Sequence, residues 1–211
     1  MSYIEKLIQE EYLKTPAIID AFRSVKREDF LREEDLIEAE YDIPLSIGYG
    51  QTISQPLTVA FMLELLQPQA GDKILDIGCG SGWTTALLAQ IVGEGGRVFG
   101  IERIEELKRY GERNIEKYNF IKKGIVKVIH GDGYKGMIEK APYDKILVSA
   151  SPKKIPQALL DQLRVGGQLI IPVGTQGYTQ DIVLVKKKGE SDYEYNRHPG
   201  FAFVPLVKDN E

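Results

Sequence analysis

Apolar positions recur at helical spacing through the first forty residues. Ile4, Leu7, Ile8 and Tyr12 fall on one face, and Ile18, Ile19, Phe22 and Val25 continue the stripe. Thr15 followed by Pro16 reads as an N-cap with proline at the first helical position. The segment REEDLIEAEYD is acidic and predicts a surface-lying stretch. From residue 73 the texture changes. KILDIG, GRVFGIE, IVKVIHGD, YDKILVSA and QLIIPVG are short apolar runs that predict buried strands. Between them, WTTALLAQIV, RIEELKRYGERNIEKYNF and IPQALLDQLRV have helical spacing, the last closed by Gly166 and Gly167. This alternation predicts a parallel sheet covered on both faces. DIVLVKKK and YEYNRHPGFAFVPL follow with little helix between them and predict a terminal antiparallel pair.

One stretch does not fit either period. GYGQTISQP, residues 48–56, carries no charge although 27% of the chain is charged. It is too rich in glycine and hydroxyl groups for a core strand. It runs directly into LTVAFMLELL, where Val59, Met62, Leu63 and Leu66 share a helical face. The organisation expected is an N-terminal helical extension over 1–47, packed on the core, and an α/β unit over 48–211 that includes this loop.

Composition narrows the function classes. A length of 211 residues suits one domain, and 43% hydrophobic content supports a real core. The net charge of −4 gives no global help in binding nucleic acid or anionic membranes. Lys186, Lys187 and Lys188 form the one obvious basic run and read as a solvated strand end. A single cysteine, Cys79, excludes an intramolecular disulfide, and two distant histidines, His130 and His198, leave no zinc site of the usual kind, so no metal is expected. The charged first residues have no apolar h-region, and no run approaches a membrane span. The expectation is a soluble, cytoplasmic protein.

DIGCGSG places Gly78, Gly80 and Gly82 in a strand-to-helix turn, where glycine permits a sharp bend and close ligand approach. Glu102 ends the next strand, twenty residues after Gly82, as suits a carboxylate accepting from a ribose diol. The spacing is G-x-G-x-G rather than the dinucleotide G-x-G-x-x-G, and Asp76 stands two residues before the first glycine. A pyrophosphate disfavours an adjacent carboxylate, whereas S-adenosylmethionine carries an ammonium, a sulfonium and no phosphate. The loop residues Gly78, Cys79, Gly80, Ser81 and Gly82, with Asp76 and Glu102, are therefore the candidate cofactor site. HGDG brings Asp132 and Gly133 to the end of the third strand, near an adenine amino group. Cys79 fits as a small residue in the turn, since no base is placed beside it. His130 reads as a structural strand-end residue.

Taken together, YDIPLSIGYGQTISQP, ILDIGCGSGWTTALLA, GIERIEEL, HGDGYKG, PYDKILVSA, IPQALLDQLRVGGQLIIPVG and FVPL resemble the protein-L-isoaspartate O-methyltransferase family from about Ala21 to Leu206. GQTISQP is the most specific of these. The resemblance implies a Rossmann-like class I methyltransferase fold, with a seven-stranded, mostly parallel sheet between helices. It implies methyl transfer from S-adenosylmethionine to the free α-carboxyl of L-isoaspartyl residues, and more weakly of D-aspartyl residues, in damaged peptides and proteins, leaving S-adenosylhomocysteine. The ester then cyclises to a succinimide, from which some normal aspartate is restored. It assigns Ser54 to the active site. Gln51, Thr52 and Ile53 are the further substrate contacts expected from the loop, and a monomer is expected. Departures from the family pattern stand at Glu40, at Ser46 and in SASPKKIP, residues 149–156, near the expected substrate rim.

The implied chemistry accounts for the neutral loop. A carboxylate with a reference pKa of about 4 is already ionised at neutral pH, so no general base is needed. The protein has to align acceptor and donor and exclude water. Hydroxyls and backbone amides hold a carboxylate without quenching its nucleophilicity as a salt bridge would. Ser54 has two compatible readings: a substrate contact, or an N-cap for the helix that follows. It is not read as a covalent nucleophile, because nothing is placed to activate it. The loop at 48–56 and the FVPL tail are the expected walls of a groove for extended peptide. Three other readings compete: a methyltransferase acting on RNA or a small metabolite, a non-catalytic cofactor-binding protein, and an NAD-dependent oxidoreductase. The glycine spacing and Asp76 disfavour the last.

Overall fold

A computed structural model describes residues 2–208. Two helices, α1 (Tyr3–Gln9) and α2 (Pro16–Ser24), lead through 3-10 turns into a hairpin of β1 (Leu45–Gly48) and β2 (Gln51–Ile53). Helix α3 (Pro56–Leu66) follows. The α/β region comprises β3 (Lys73–Ile77), α4 (Trp83–Val92), β4 (Arg97–Glu102), α5 (Glu105–Glu116), β5 (Val126–His130), β6 (Tyr143–Val148), α6 (Gln157–Asp161), β7 (Leu163–Val173), β8 (Gln180–Gly189) and β9 (Asp192–Phe201).

The seven large strands form one sheet in the order β5-β4-β3-β6-β7-β8-β9. Pairing is parallel from β5 to β7 and antiparallel from β7 through β9. The chain winds outward from β3 to β5 and then returns to lay β6 on the other side of β3. The switch point therefore lies between β3 and β6, where a ligand crevice is expected outside the carboxyl ends. Alternation along β3 serves both faces: Ile74 belongs to the core under α1–α5, and Leu75 and Ile77 to the core under α6. The first of these cores runs without a break from Tyr3 to Leu184, so the N-terminal helices share the hydrophobic centre of the sheet.

Several expectations are corrected. The neutral stretch is a two-stranded hairpin for part of its length, pairing Leu45 with Ile53 and Ser46 with Thr52. Gly48, Tyr49 and Gly50 all take positive φ at its tip, so the glycines build a turn. Helix α1 stops at Gln9, and Tyr3 rather than Tyr12 is buried. Helix α6 stops at Asp161, and the glycine pair lies inside β7. There the register jumps from Tyr143–Leu163 to Lys145–Gln168, and Gly166, at φ +81, absorbs the extra residues. Lys187 is buried, not solvated. Its ammonium donates to the carbonyls of Leu160 (3.3 Å), in the last turn of α6, and Leu163 (2.9 Å), just after it. Among the described residues no helix is long and apolar enough to cross a membrane, and no three metal-ligating side chains cluster.

Candidate active site

The ends of β3, β4 and β6 open into a cavity of about 790 Å³, counted to its mouth. Its floor is the glycine turn. Gly78 and Cys79 donate their N–H groups to the Ile101 carbonyl at 2.9 and 3.2 Å, which folds the turn against β4. Gly82, at φ +90, closes it and starts α4. A Cβ there would lie 2.8 Å from Ile115 and 2.9 Å from the Gly111 carbonyl of α5. Glycine is thus required for both the backbone angle and the helix contact.

Glu102 is 7% exposed and already organised. One carboxylate oxygen accepts from the Gly80 N–H and the other from the Ile104 N–H, each at 3.0 Å. Both oxygens keep a further lone pair for a diol. Gly133 also lines the cavity, and a Cβ on it would meet Ile77 at 2.4 Å. Gln51, Thr52, Ile53 and Ser54 form the opposite wall.

Asp76 and Asp132 sit apart from this lining. Asp132 is buried, accepts from the Tyr134 N–H at 2.8 Å and lines a neighbouring cleft with His130 and Met137. Asp76 is fully buried. Its Oδ2 accepts from the Thr85 hydroxyl at 2.6 Å, and its Oδ1 has no partner among the described residues. Burial pushes its pKa up to about 7; the Thr85 hydrogen bond opposes this, and neighbouring Glu102 adds to it. Burial, with the same two acids nearby, raises the Cys79 thiol well above its ordinary value, so Cys79 is no thiolate nucleophile. A ligand carrying positive charge relieves such a pair of acids, and a pyrophosphate would aggravate it. These residues fit S-adenosylmethionine.

Beside this cavity lies an open cleft between Thr52, Ser54 and Gln55 on one side and Gly200 to Val204 on the other. Thr52, Ser54, Ser149 and Val204 line both spaces. The Ser54 hydroxyl makes no hydrogen bond to another described residue, and the helix cap is made elsewhere. Gln55 occupies the N-cap position without a side-chain bond to the helix backbone, while Asp42 Oδ1 accepts from the Leu57 N–H at 2.8 Å. Asp42 Oδ2 holds the Gln55 side chain at 3.0 Å. The tail wall is fixed by buried Gln180, whose amide pairs with the Phe203 N–H (2.7 Å) and carbonyl (3.3 Å). Ser151 pairs with Val204 and Leu206 through backbone bonds of 2.8 and 2.9 Å. The departures have local roles: Glu40 accepts from the Tyr3 N–H, the Ser46 hydroxyl accepts from the Gly48 N–H, and Lys153 and Lys154 are exposed.

Sequence patterning missed Arg27, Asp42 and Gln180. Each sits in a stretch that looks like ordinary surface or strand, and only its long-range partners mark it. Trp83, which lines the cavity, was read only as the start of a helix.

The family model for "Protein-L-isoaspartate(D-aspartate) O-methyltransferase (PCMT)" matches residues 1–211. The chain belongs to the protein-L-isoaspartate O-methyltransferase family. This methyltransferase is 42% identical over 204 residues to the protein-L-isoaspartate O-methyltransferase of Methanopyrus kandleri, covering 97% of this chain and 89% of that one. It is 40% identical to the protein of the same name from Methanothermobacter thermautotrophicus, covering 97% and 93%. A Plasmodium falciparum structure described as a protein-L-isoaspartate O-methyltransferase with S-adenosyl-L-homocysteine superposes with TM-score 0.87 at 27% identity. The match covers 98% of this chain and 97% of that one. The fold is thus a Rossmann-like class I methyltransferase.

Proposed function

We propose that the enzyme methylates the free α-carboxylate of L-isoaspartyl residues, and D-aspartyl residues more weakly, in peptides and proteins, and so starts their repair through a succinimide. The observation that carries this reading is the shared wall: Ser54 and Thr52 line both the cofactor cavity and the open cleft. An acceptor carboxylate held there stands between the two spaces.

S-adenosylmethionine supplies a methyl group on a sulfonium when bound. Glu102 holds its ribose diol, the turn from Gly78 to Gly82 receives its amino-acid end, and Gly133 leaves room beside its adenine. Asp76 balances the positive charge from behind the turn, and Asp132 organises the adenine side through the Tyr134 backbone. Ser54, with the amides of residues 51–54, orients the substrate carboxylate without neutralising it. No side chain accepts a proton, because the acceptor arrives ionised. Gln180 holds the Phe203 backbone, so that the tail offers a fixed edge to extended peptide. The enzyme acts as a cytoplasmic monomer with neither nucleic acid nor membrane as partner, in keeping with its net charge of −4.

The test is transfer of labelled methyl to paired peptides with L-isoaspartate or L-aspartate at one position. Base-labile label in the isoaspartyl peptide alone is expected. Equal labelling of both, or of neither while S-adenosylhomocysteine still binds, would overturn the substrate.

A further inference from the structure

Arg27 is 2% exposed, yet among the described residues no carboxylate hydrogen-bonds to it. Its guanidinium donates instead to four carbonyls: Ile43 at 2.7 Å, Tyr41 at 3.1 Å, Ala39 at 3.2 Å and Ser54 at 3.4 Å. Three of these lie on the approach to β1 and the fourth just beyond β2, so one side chain holds both feet of the hairpin. The same guanidinium lies 5.5 Å from the centre of the Trp83 ring. Trp83 is the first residue of α4 and lines the cavity. Burial lowers the Arg27 pKa to about 10, and Tyr3, Asp42 and Glu40 oppose this, so the group stays charged at neutral pH. Desolvating a cation is costly. A neutral side chain would brace a merely structural corner, but only arginine presents a planar fork to several carbonyls at once.

We propose that Arg27 is a positioning residue for methyl transfer: it clamps the β1–β2 hairpin at both feet and, through Trp83, sets its distance from the glycine turn. The acceptor wall and the cofactor floor come from segments far apart in the chain, and in-line attack depends on their spacing. Arg27 touches both. Its bond to the Ser54 carbonyl also polarises the peptide whose N–H belongs to Gln55, at the start of α3. The catalytic consequence rests on the isoaspartyl reading above; the clamp itself does not.

The experiment compares Arg27→Lys and Arg27→Met with the unaltered enzyme by hydrogen exchange, S-adenosylhomocysteine calorimetry and steady-state kinetics on the isoaspartyl peptide. Amides of 45–54 are expected to exchange about tenfold faster or more, with β3, β4 and β6 unchanged. S-adenosylhomocysteine affinity should stay within about threefold, while kcat falls about 10- to 100-fold, less in the lysine variant. Unchanged hairpin exchange, exchange that rises evenly through the sheet, or unaltered kcat in Arg27→Met would overturn the proposal. If Arg27→Met does not fold, Arg27→Lys decides by the same criteria. If the unaltered enzyme methylates neither peptide, the substrate reading fails, and the exchange and affinity data still decide whether Arg27 is the clamp.

Discussion

The two walls of the site are built differently. The cofactor floor comes from consecutive residues: β3, the glycine turn and α4 follow one another, and Glu102 ends the adjacent strand. Its backbone bonds to the Ile101 carbonyl and the Glu102 carboxylate close within about 25 residues of sequence, from Gly78 to Glu102. The acceptor wall is gathered from afar. Arg27 and Asp42 hold the hairpin and α3, and Gln180 and Ser151 hold the tail. A binding surface for one invariant cofactor can be a compact local motif. A surface that meets varied peptides is assembled from loops whose geometry depends on the rest of the fold.

Damage to the floor should show first in cofactor affinity, and with the largest effect. Glu102→Ala removes the acceptor for Gly80 and Ile104 as well as the diol contact. S-adenosylhomocysteine affinity measured by calorimetry should fall about a thousandfold, ~4 kcal/mol. A loss under about tenfold would mean that the turn keeps its shape without this carboxylate.

The floor should also carry a pH signature. Asp76 titrates at about 7 in the fold against an ordinary value of 3.8. Between these values the folded state keeps a proton that the unfolded chain has released. Stability from this group is therefore highest at low pH, declines through the window from about 4 to 7, and is constant above it. Denaturant midpoints of Asp76→Asn should lose that decline, a difference of a few kcal/mol across the window. Parallel profiles for the two proteins would assign the titration elsewhere.

On the acceptor wall, Ser54→Ala should separate catalysis from folding. Asp42 already caps α3, so the melting temperature should move by less than about 2 °C. Meanwhile kcat/KM for the isoaspartyl peptide should drop about 10- to 100-fold. A large thermal loss with normal turnover would return Ser54 to a structural role. Asp42→Ala is the complement and the smallest effect. It should cost about 1 kcal/mol of stability in urea unfolding, with Asp42→Asn recovering part of it. If neither variant shifts the midpoint, the carboxylate is not the cap of α3.

The alternation of buried runs with amphipathic helices was enough, in the sequence alone, to determine the parallel α/β sheet, α4 and the glycine turn. These features are legible because period and spacing act over neighbouring residues, where the backbone has few alternatives. Tertiary structure decided what depends on contacts across the chain. Glycine and hydroxyl content suggested a loop at 48–56, but pairing with residues 45–48 made part of it a strand. Ser54 looked equally suited to cap or to substrate, until Asp42, fifteen residues before Leu57, took the cap. Lys187 resembled its solvated neighbours until the end of α6 arrived beside it. Arg27 carries no pattern that separates it from surface arginines. Only the closing of the fold brings four carbonyls to its guanidinium; they stand in for water at its two terminal nitrogens, while Nε has no partner among the described residues.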